Sequence, residues 1–319
     1  MSRPERALLR CGRECKKLTS DENTYLLDPE SLQEMARLAW QGRLVTQALG
    51  LVPTTIDLSN LLRERESQAE TETLEPFRVL DVGCGPGDWG LELAAKYKDT
   101  RMKIIGIDIS NRMVQHATTQ AESQETPNVE FRVMNALKHL QFPDATFDLV
   151  NMRLALAFIP RERWPFVIQE CKRVLRPGGV FVSTEGENGV HTYHSPKTAQ
   201  LIHWLCQALA VKGLGFWDGY SSMHGVHGMQ LLFFREAGFE NIQAKMSLIE
   251  ASYNSEQYLG WLDMQKTMVE FIEPIVCGPL GVSKDLFNAV LEESYLEVRQ
   301  KEFCSVCYFQ TVSGQKPRL

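Results

Sequence analysis

An aspartate followed by alternating glycines is the feature of this sequence with the clearest chemical meaning. The run DVGCGPG occupies Asp81–Gly87 and follows an apolar stretch that begins at Phe77. Glycines allow the backbone to turn sharply and let a ligand approach main-chain atoms. A second carboxylate, Asp108, stands 21 residues after Gly87, where it can accept hydrogen bonds from both hydroxyls of a ribose. Together these features predict a site for an adenosine-containing cofactor.

The spacing of the loop separates two such cofactors, NAD and S-adenosylmethionine. Dinucleotide-binding loops have the pattern GxGxxG, whereas this loop has GxGxG and places Asp88 where the third dinucleotide glycine would be. Asp81 and Asp88 would lie near a pyrophosphate, and carboxylates close to that dianion are unfavourable. The same carboxylates suit a ligand that carries an ammonium and a sulfonium. S-adenosylmethionine is therefore the expected cofactor, and an NAD-dependent oxidoreductase is the less favoured alternative.

The elements around this loop alternate between short strands and helices. Strand-like segments are expected at Phe77–Val82, Lys103–Asp108, Val129–Met134, Phe147–Asn151 and Val180–Glu185. Helical patterns separate most of them, at Asp88–Lys98, Ser110–Glu122 and Arg161–Leu175. Such alternation predicts a parallel sheet with helices on both faces. Further helices are expected at Ser195–Lys212, Met229–Ala237, Ser255–Phe271 and Ser283–Gln300, and two more strands at Asn241–Ile249 and Phe303–Val312.

Four segments in this order resemble the motifs of one family. They are Asp81–Gly87, Gly106–Ser110, Phe147–Val150 and Arg173–Gly179. Residues 77–185 resemble the core of class I S-adenosylmethionine-dependent methyltransferases of the small-molecule type. The resemblance implies an α/β fold with a doubly wound, mostly parallel, Rossmann-like seven-stranded sheet whose last strand is antiparallel. We expect residues 1–76 to form an N-terminal helical lid and linker, 77–190 the S-adenosylmethionine-binding core, and 191–319 helical cap insertions with the last two strands.

The resemblance also implies a role for each residue of the cofactor site. Asp81 and the glycine loop, with Gly83 and Gly85, would hold the methionine portion of the cofactor. Asp108 would bind the ribose, and Ile109 would pack on the adenine.

The ends of the third and fourth strands are expected to complete this site. Family members often have an Asp-Ala pair after the third strand that contacts the adenine amine, and here the pair is Asn135-Ala136. An amide oxygen can accept the same hydrogen bond. Asn151 and Met152, at the end of the fourth strand, would border the methyl donor.

A helix expected at Pro29–Gly50 carries polar residues on one face. Glu34, Arg37 and Gln41 fall at helical spacing, and small-molecule members of the family have a similar Glu-x-x-Arg-Leu-x-x-Gln pattern before their core. The resemblance implies that Arg37 pairs with the methionine carboxylate, with Tyr25 and Gln41 nearby, because a guanidinium can bind both carboxylate oxygens. The alternative is a solvated helix face with an ion pair between Glu34 and Arg37.

The acceptor of the methyl group is expected to bind after the fifth strand, where aromatic and imidazole side chains are dense. The residues expected to contact it are His191, Tyr193, Trp217 and Tyr220. An acceptor atom that starts protonated needs a general base, and histidine titrates closest to neutral pH. His224 and His227 are the favoured bases, since Gly225 and Gly228 beside them would leave room for a ligand. Glu185, at the end of the fifth strand, is their main competitor.

Metal chemistry is not expected in this chain. His224-x-x-His227 lacks the glutamate of a HExxH motif, and no third ligand is evident from spacing. Cys304-x-x-Cys307 has no second CxxC to complete a zinc site.

Composition limits the classes of partner. The 319 residues carry a net charge of −6, and no run of five or more Lys or Arg occurs. An acidic chain without a basic stripe is a poor binder of phosphate backbones, so nucleic acid is not an expected partner. Met1–Lys17 lacks the apolar segment of a signal peptide, and no window of 18 apolar residues predicts a membrane span. We therefore expect a cytoplasmic protein without membrane partners.

The sequence thus predicts S-adenosylmethionine-dependent methyl transfer to O, N or C of a small organic metabolite. A different class of function stays open, because fold and cofactor site do not determine the chemistry. A protein with this fold can retain the cofactor as a structural ligand and act as a cyclase or a binding module. A protein or RNA methyltransferase is a further alternative, which a wide exposed groove would favour and a closed pocket would disfavour.

Overall fold

A seven-stranded mixed sheet organises the chain. The computed structural model describes residues 25, 27–28, 30–67, 75–191 and 194–318. The strands are β1 (Phe77–Val82), β2 (Met102–Asp108), β3 (Val129–Val133), β4 (Phe147–Arg153), β5 (Leu175–His191), β6 (Glu240–Glu250) and β7 (Ser305–Gln315). Their order is β3-β2-β1-β4-β5-β7-β6. β1 to β5 pair in parallel, whereas β7 is antiparallel to both of its neighbours, which confirms the predicted fold class.

Helices connect the strands and extend beyond the sheet. Those in the described part of the chain are α1 (Leu32–Leu49), α2 (Leu58–Ser67), α3 (Asp88–Lys96), α4 (Asn111–Ser123), α5 (Trp164–Val174), α6 (Pro196–Val211), α7 (Val226–Glu236), α8 (Tyr258–Cys277) and α9 (Lys284–Glu297). Short 3-10 turns lie at Ala155–Ala157 and Arg161–Arg163. Ser31 caps α1, since its hydroxyl accepts a 3.4 Å hydrogen bond from the backbone N–H of Glu34. Within the described segments, no helix combines the length and apolar character needed to cross a membrane.

Helices cover both faces of the sheet, as the alternation of elements predicts. Val79 and Leu80 are neighbours on β1, and both are fully buried. Adjacent strand residues point to opposite faces, and these two belong to different apolar clusters. Val79 packs in the cluster that contains Trp89 of α3, and Leu80 in the cluster that contains Ile168 of α5.

β5 is longer than the predicted Val180–Glu185, and its pairing explains the difference. It begins at Leu175, opposite Phe147, before the irregular register that precedes Val180. Its second half is extended by β7, which pairs with it from Gln315 to Ser305. A local apolar pattern cannot show this extension, because a partner strand more than a hundred residues away supplies the hydrogen bonds.

The order of the strands opens a crevice at one edge of the sheet. The chain proceeds outward from β1 through β2 on one side and through β4 on the other. At such a switch point the connections leave in opposite directions, and ligands bind outside the carboxyl ends of the strands. Asp81 of β1 is paired in register with Asn151 of β4 at this point.

Candidate active site

A cavity of about 310 Å³ lies at the carboxyl ends of β1, β2 and β4. Its volume falls in the range of about 300–1,000 Å³ that is usual for small-molecule sites. The predicted site residues that line it are Tyr25, Arg37, Gln41, Asp81, Gly83, Gly85, Asp108, Ile109, Asn135, Ala136, Glu185 and His224. The fold therefore brings the glycine loop, the first helix and the end of β5 to one cavity.

Backbone geometry makes glycine necessary in the loop. Gly87 precedes α3 with φ of 87°, in the left-handed region that favours glycine. A Cβ at this position would lie 2.6 Å from Ala117 Cβ and 2.8 Å from the ring of Phe131. The loop is also tied to β2, because the backbone N–H groups of Gly83 and Cys84 both donate to the carbonyl oxygen of Ile107 at 2.9 Å. These contacts hold the first turn of α3 against the cavity.

Asp108 is held in a fixed orientation by the backbone. Its Oδ2 accepts the N–H of Gly85 at 2.9 Å, and its Oδ1 accepts the N–H of Ser110 at 2.9 Å. Burial raises the pKa of Asp108, and these hydrogen bonds oppose the shift. Each carboxylate oxygen has a second lone pair. An oriented carboxylate at the cavity wall can therefore accept hydroxyl protons from a ligand.

Asp81 is a buried carboxylate beneath the glycine loop. Its Oδ1 accepts a 2.8 Å hydrogen bond from Asn151 Nδ2. Burial raises the pKa of Asp81 to about 6, against the opposing attraction of Arg153. Asn151 is itself buried and does not line the cavity as the structure describes it. The expectation that Asn151 borders the methyl donor is corrected accordingly, because its amide is turned toward Asp81.

The polar face of α1 forms a hydrogen-bonded group at the cavity. Arg37 donates to both carboxylate oxygens of Glu34, through Nε at 2.7 Å and Nη2 at 2.7 Å. Its Nη1 donates to Gln41 Oε1 at 3.2 Å, and the hydroxyl of Tyr25 donates to Glu34. The ion pair of the alternative interpretation is thus present, although the face borders the cavity instead of solvent. Ser110 donates to Glu30 at 2.7 Å and ties the start of this segment to the core.

The Asn135-Ala136 pair lies at the cavity wall beside Ile109. Asn135 Oδ1 already accepts the backbone N–H of Leu137 at 2.8 Å. This bond holds the amide in place and leaves the second lone pair of the oxygen for a ligand. Ile109 is 36% exposed, which is high for an isoleucine and leaves an apolar surface beside the pair.

His224 lies at the wall of the cavity next to a buried carboxylate. Glu187 accepts the backbone N–H of His224 and, at 2.9 Å, that of Gly225. The imidazole is 12% exposed, and its Nδ1 lies 3.3 Å from Glu187 Oε1. Burial lowers the pKa of His224 to about 4. The imidazole is therefore neutral at pH 7, and both of its ring nitrogens are buried.

Glu185 also lines the cavity, but its carboxylate is used locally. It accepts the backbone N–H of Ala155 at 2.8 Å and that of Leu156 at 3.1 Å. These bonds cap the short turn that follows β4. Burial raises the pKa of Glu185 to about 8. The side chain thus anchors the turn, which reduces its freedom to act as a base.

Two expectations for the acceptor region are corrected by the structure. Trp217 and Tyr220 are absent from the described lining of the cavity. The indole of Trp217 donates to the carbonyl oxygen of Ser221 at 2.7 Å, and Tyr220 is 89% exposed. Trp217 also packs edge-on against the ring of His203 on α6, with ring centroids 5.5 Å apart. The side chain of His191, and Tyr193 as a whole, lie outside the described residues.

The segment that contains His227 differs from expectation as well. His227 lies behind the cavity wall, with its Nε2 3.0 Å from the carbonyl oxygen of Glu185. Gly225 does not leave space for a ligand, because a Cβ there would lie 2.5 Å from the carbonyl oxygen of Phe216. Its φ of 76° shows that glycine is needed for a tight turn. Of the two histidines, only His224 reaches the cavity in the described structure.

Residues that the sequence analysis did not identify complete the cavity. Arg153, two residues after the end of the predicted fourth strand, is one of them. Five others form an apolar wall, which we define as Trp261, Met264, Met268, Phe271 and Phe309. The first four share one face of α8 at helical spacing. That periodicity was visible in the sequence, but nothing local indicated that the face borders a cavity and not the core.

Comparison with known proteins agrees with this geometry. Residues 79–179 match a family model described as a methyltransferase domain. The chain is 32% identical over 132 residues to a probable methyltransferase, ltbC, of Aspergillus luteorubrus, covering 38% of this chain and 46% of that protein. It is 35% identical over 112 residues to the demethylmenaquinone methyltransferase of Lactococcus lactis, covering 35% of this chain and 43% of that protein. The matched part thus spans less than half the length of these curated relatives.

A solved structure of Haemonchus contortus phosphoethanolamine N-methyltransferase 2 with S-adenosyl-L-methionine has a TM-score of 0.46 to this chain and 15% identity. The alignment covers 89% of this chain and 57% of that one. The family match coincides with β1 to the start of β5, which includes the glycine loop and Asp108. Residues 79–179, which include the glycine loop, are therefore similar in sequence to a methyltransferase domain.

Proposed function

We propose that this protein binds S-adenosylmethionine and transfers its methyl group to a small, largely apolar molecule. The observation that carries the proposal is the composition of one cavity. Carboxylates on the glycine loop and β2 line one part of it, and the apolar wall lines another, with the neutral imidazole of His224 also at its surface. A cofactor that carries positive charge and an acceptor that is mostly apolar fit these two parts.

The carboxylates suit the cofactor by charge and by hydrogen bonding. Asp108 would accept the ribose hydroxyls, while Asp81 and the loop around Gly83 and Gly85 would hold the methionine portion. Ile109 and the Asn135-Ala136 pair would contact the adenine. The bound cofactor would supply a methyl group already activated by the sulfonium. An NAD-dependent reaction is disfavoured because Asp81 and Asp88 would oppose a pyrophosphate.

The remaining task of the chain is to align the acceptor, exclude water and take up a proton. His224 is the proposed base. If the neutral imidazole carries its proton on Nδ1, that proton would face Glu187, and Nε2 would be the nitrogen that acts as base. Nε2 would then take the proton of an acceptor hydroxyl or amine while the acceptor oxygen or nitrogen forms its bond to the methyl carbon. Glu187 would then stabilise the imidazolium, because an adjacent carboxylate favours the charged form.

The apolar wall points to the acceptor class. Trp261, Met264 and Met268 offer aromatic and thioether surface without a charge, which suits a ring system or hydrocarbon chain bearing one ionisable group. A relative named demethylmenaquinone methyltransferase supports a small-molecule acceptor. A cavity of about 310 Å³ and the net charge of −6 support a small molecule over nucleic acid.

Residues 1–76 are proposed to act as a lid and linker, residues 77–190 as the cofactor core and residues 191–319 as the cap. The contact between Ser110 and Glu30, and the lining by Tyr25, Arg37 and Gln41, support closure of α1 over the cavity. We place the protein in the cytoplasm, an inference supported by the free thiols of Cys84, Cys171 and Cys277.

Mass spectrometry with labelled S-adenosylmethionine tests the proposal. The purified protein, incubated with the labelled cofactor and a metabolite extract, should yield a small product heavier by one labelled methyl. Binding of the cofactor with conversion of an extract component but no label transfer would instead identify a cyclase or related activity. Failure to bind the cofactor would refute the proposal.

A further inference from the structure

Arg153 is a cation in the cavity wall that has no ion-pair partner in the described part of the chain. It ends β4 and lines the cavity beside Asp81. Among the residues that the structure describes, no carboxylate oxygen lies within 4.0 Å of its guanidinium nitrogens. Burial lowers the pKa of Arg153, which shows that the surrounding protein solvates its charge poorly. Buried cations without a paired anion are unfavourable, so the position is suited to an anionic ligand.

The guanidinium is held in place by neutral groups. Its Nη1 donates to the hydroxyl of Thr46 on α1 at 2.9 Å. Its central carbon lies 5.9 Å from the centre of the Trp89 ring. An added Cβ at Gly42 of α1 would be in van der Waals contact with Nη2, at 3.8 Å, so α1 packs closely beside the guanidinium where it lines the cavity. Four of the five N–H donors of the guanidinium are then unused by the described hydrogen bonds.

The nearest acids do not neutralise Arg153 by contact. Asp81, Asp88 and Glu92 attract it through space. Asp81 is hydrogen-bonded to Asn151 at 2.8 Å. The through-space attraction keeps the guanidinium charged but leaves its fork available for a ligand.

Arg37, the arginine that the sequence pattern favours, is in the opposite situation. Its Nε and Nη2 are both bonded to Glu34 at 2.7 Å, which uses the paired edge of the guanidinium. A carboxylate of a ligand would have to compete with Glu34 for that edge. Arg153 has no such competitor.

We propose that Arg153, and not Arg37, binds the carboxylate of the methionine portion of the cofactor. The inference rests on the proposed function, since it assumes that S-adenosylmethionine occupies the cavity. The carboxylate would pair with the free edge of the guanidinium, while the ammonium of the same amino-acid group would face Asp81. Arg153 would thus bind the negative group, and Asp81 the positive group, of one zwitterion.

Calorimetry with two ligands tests this assignment. S-adenosylmethionine has the carboxylate, whereas decarboxylated S-adenosylmethionine lacks it and keeps the amine. Arg153→Met should weaken S-adenosylmethionine at least tenfold more than the decarboxylated ligand. Both ligands should lose some affinity, because removal of the arginine also raises the pKa of Asp81, which would face the ammonium that the two ligands share. Thr46→Val, which only releases the guanidinium, should weaken S-adenosylmethionine several-fold with the same selectivity.

Arg37→Met is the matched control and should alter both affinities by the same factor. Thermal unfolding of the ligand-free variants shows whether each is folded. If Arg153→Met does not fold, Thr46→Val provides the test. Equal losses for both ligands in Arg153→Met, or a loss confined to S-adenosylmethionine in Arg37→Met, would overturn the assignment. If the wild-type protein binds neither ligand, the proposed function fails, and the assignment fails with it.

Discussion

Asn151 donates a 2.8 Å hydrogen bond to Asp81 across the two strands that meet at the switch point of the sheet. The strands are paired in register at these residues, so the bond follows directly from the topology. It favours the ionised form of a carboxylate whose pKa burial raises to about 6. The protein thus keeps Asp81 charged near neutral pH in an environment that opposes the charge.

Removal of this amide should weaken the cofactor site without altering its shape. In Asn151→Ala the pKa of Asp81 should rise above its present value of about 6, because the donor that stabilises the carboxylate is gone. Affinity for S-adenosylmethionine at pH 7 should fall about five- to tenfold, as expected for loss of a hydrogen bond to a charged group. Calorimetry at pH 7 and 8.5 should show partial recovery at the higher pH. Asn241→Ala, which removes an exposed amide bonded to Gln315, is the control.

Cofactor affinity should also depend on pH in the wild-type protein. Because the pKa of Asp81 is about 6, the carboxylate is ionised above that pH and protonated below it. Binding of an ammonium needs the ionised form, so affinity should fall by up to about tenfold per pH unit below pH 6. Asp81→Asn should bind weakly at every pH and lose this dependence. Identical pH profiles for the two proteins would show that another group is responsible.

Asp108→Ala should lower affinity for S-adenosylmethionine at least tenfold. The substitution removes two charge-assisted hydrogen bonds to the ribose, each worth about 1.5–3 kcal/mol. Because Asp108 also accepts the N–H groups of Gly85 and Ser110, thermal unfolding must be measured beside calorimetry. Asp99→Ala, at an exposed loop position, should leave affinity unchanged. Unaltered affinity in a folded Asp108→Ala protein would contradict the ribose assignment.

His224→Ala should bind the cofactor normally and lose about 100-fold or more in turnover, as expected for removal of a general base. His227→Gln should keep most of its turnover, because that ring faces a backbone carbonyl behind the cavity. Burial lowers the pKa of His224 to about 4, so its imidazole stays unprotonated above pH 5. With saturating cofactor, turnover should therefore show no acid limb near pH 6.5. A fall in turnover below about pH 6.5, or full activity of His224→Ala, would assign proton transfer to a different group.

Glu185 should make the stability of the protein depend on pH. Burial raises its folded-state pKa from 4.5 to about 8. The stabilising contribution of the protonated form is complete below pH 4.5 and is lost as pH rises toward 8. Across that window wild type should lose up to about 1.4 kcal/mol of unfolding free energy per pH unit relative to Glu185→Gln. Urea unfolding of both proteins between pH 5 and 8 measures the difference, and parallel curves would show that Glu185 stays ionised.

Local pattern was sufficient for the cofactor half of the site. The glycine loop, Asp108 and the strand–helix alternation can be predicted from local sequence, because turns and periodic burial depend on nearby backbone and side chains. The same holds for the polar face of α1, where Glu34 and Arg37 lie three residues apart. These features predicted the sheet, the family and the position of the crevice.

Tertiary structure alone decided the acceptor half. It turned one face of α8, which lies far from the loop in sequence, into the wall of the cavity, and it left Tyr220 in solvent. It also determined which charges are paired, since Arg37 forms an ion pair with Glu34, whereas Arg153 hydrogen-bonds to Thr46 and lies beside Trp89. Desolvation depends on everything packed around a group, and that environment comes from distant parts of the chain. The availability of Arg153 and the neutrality of His224 are therefore properties of the folded molecule.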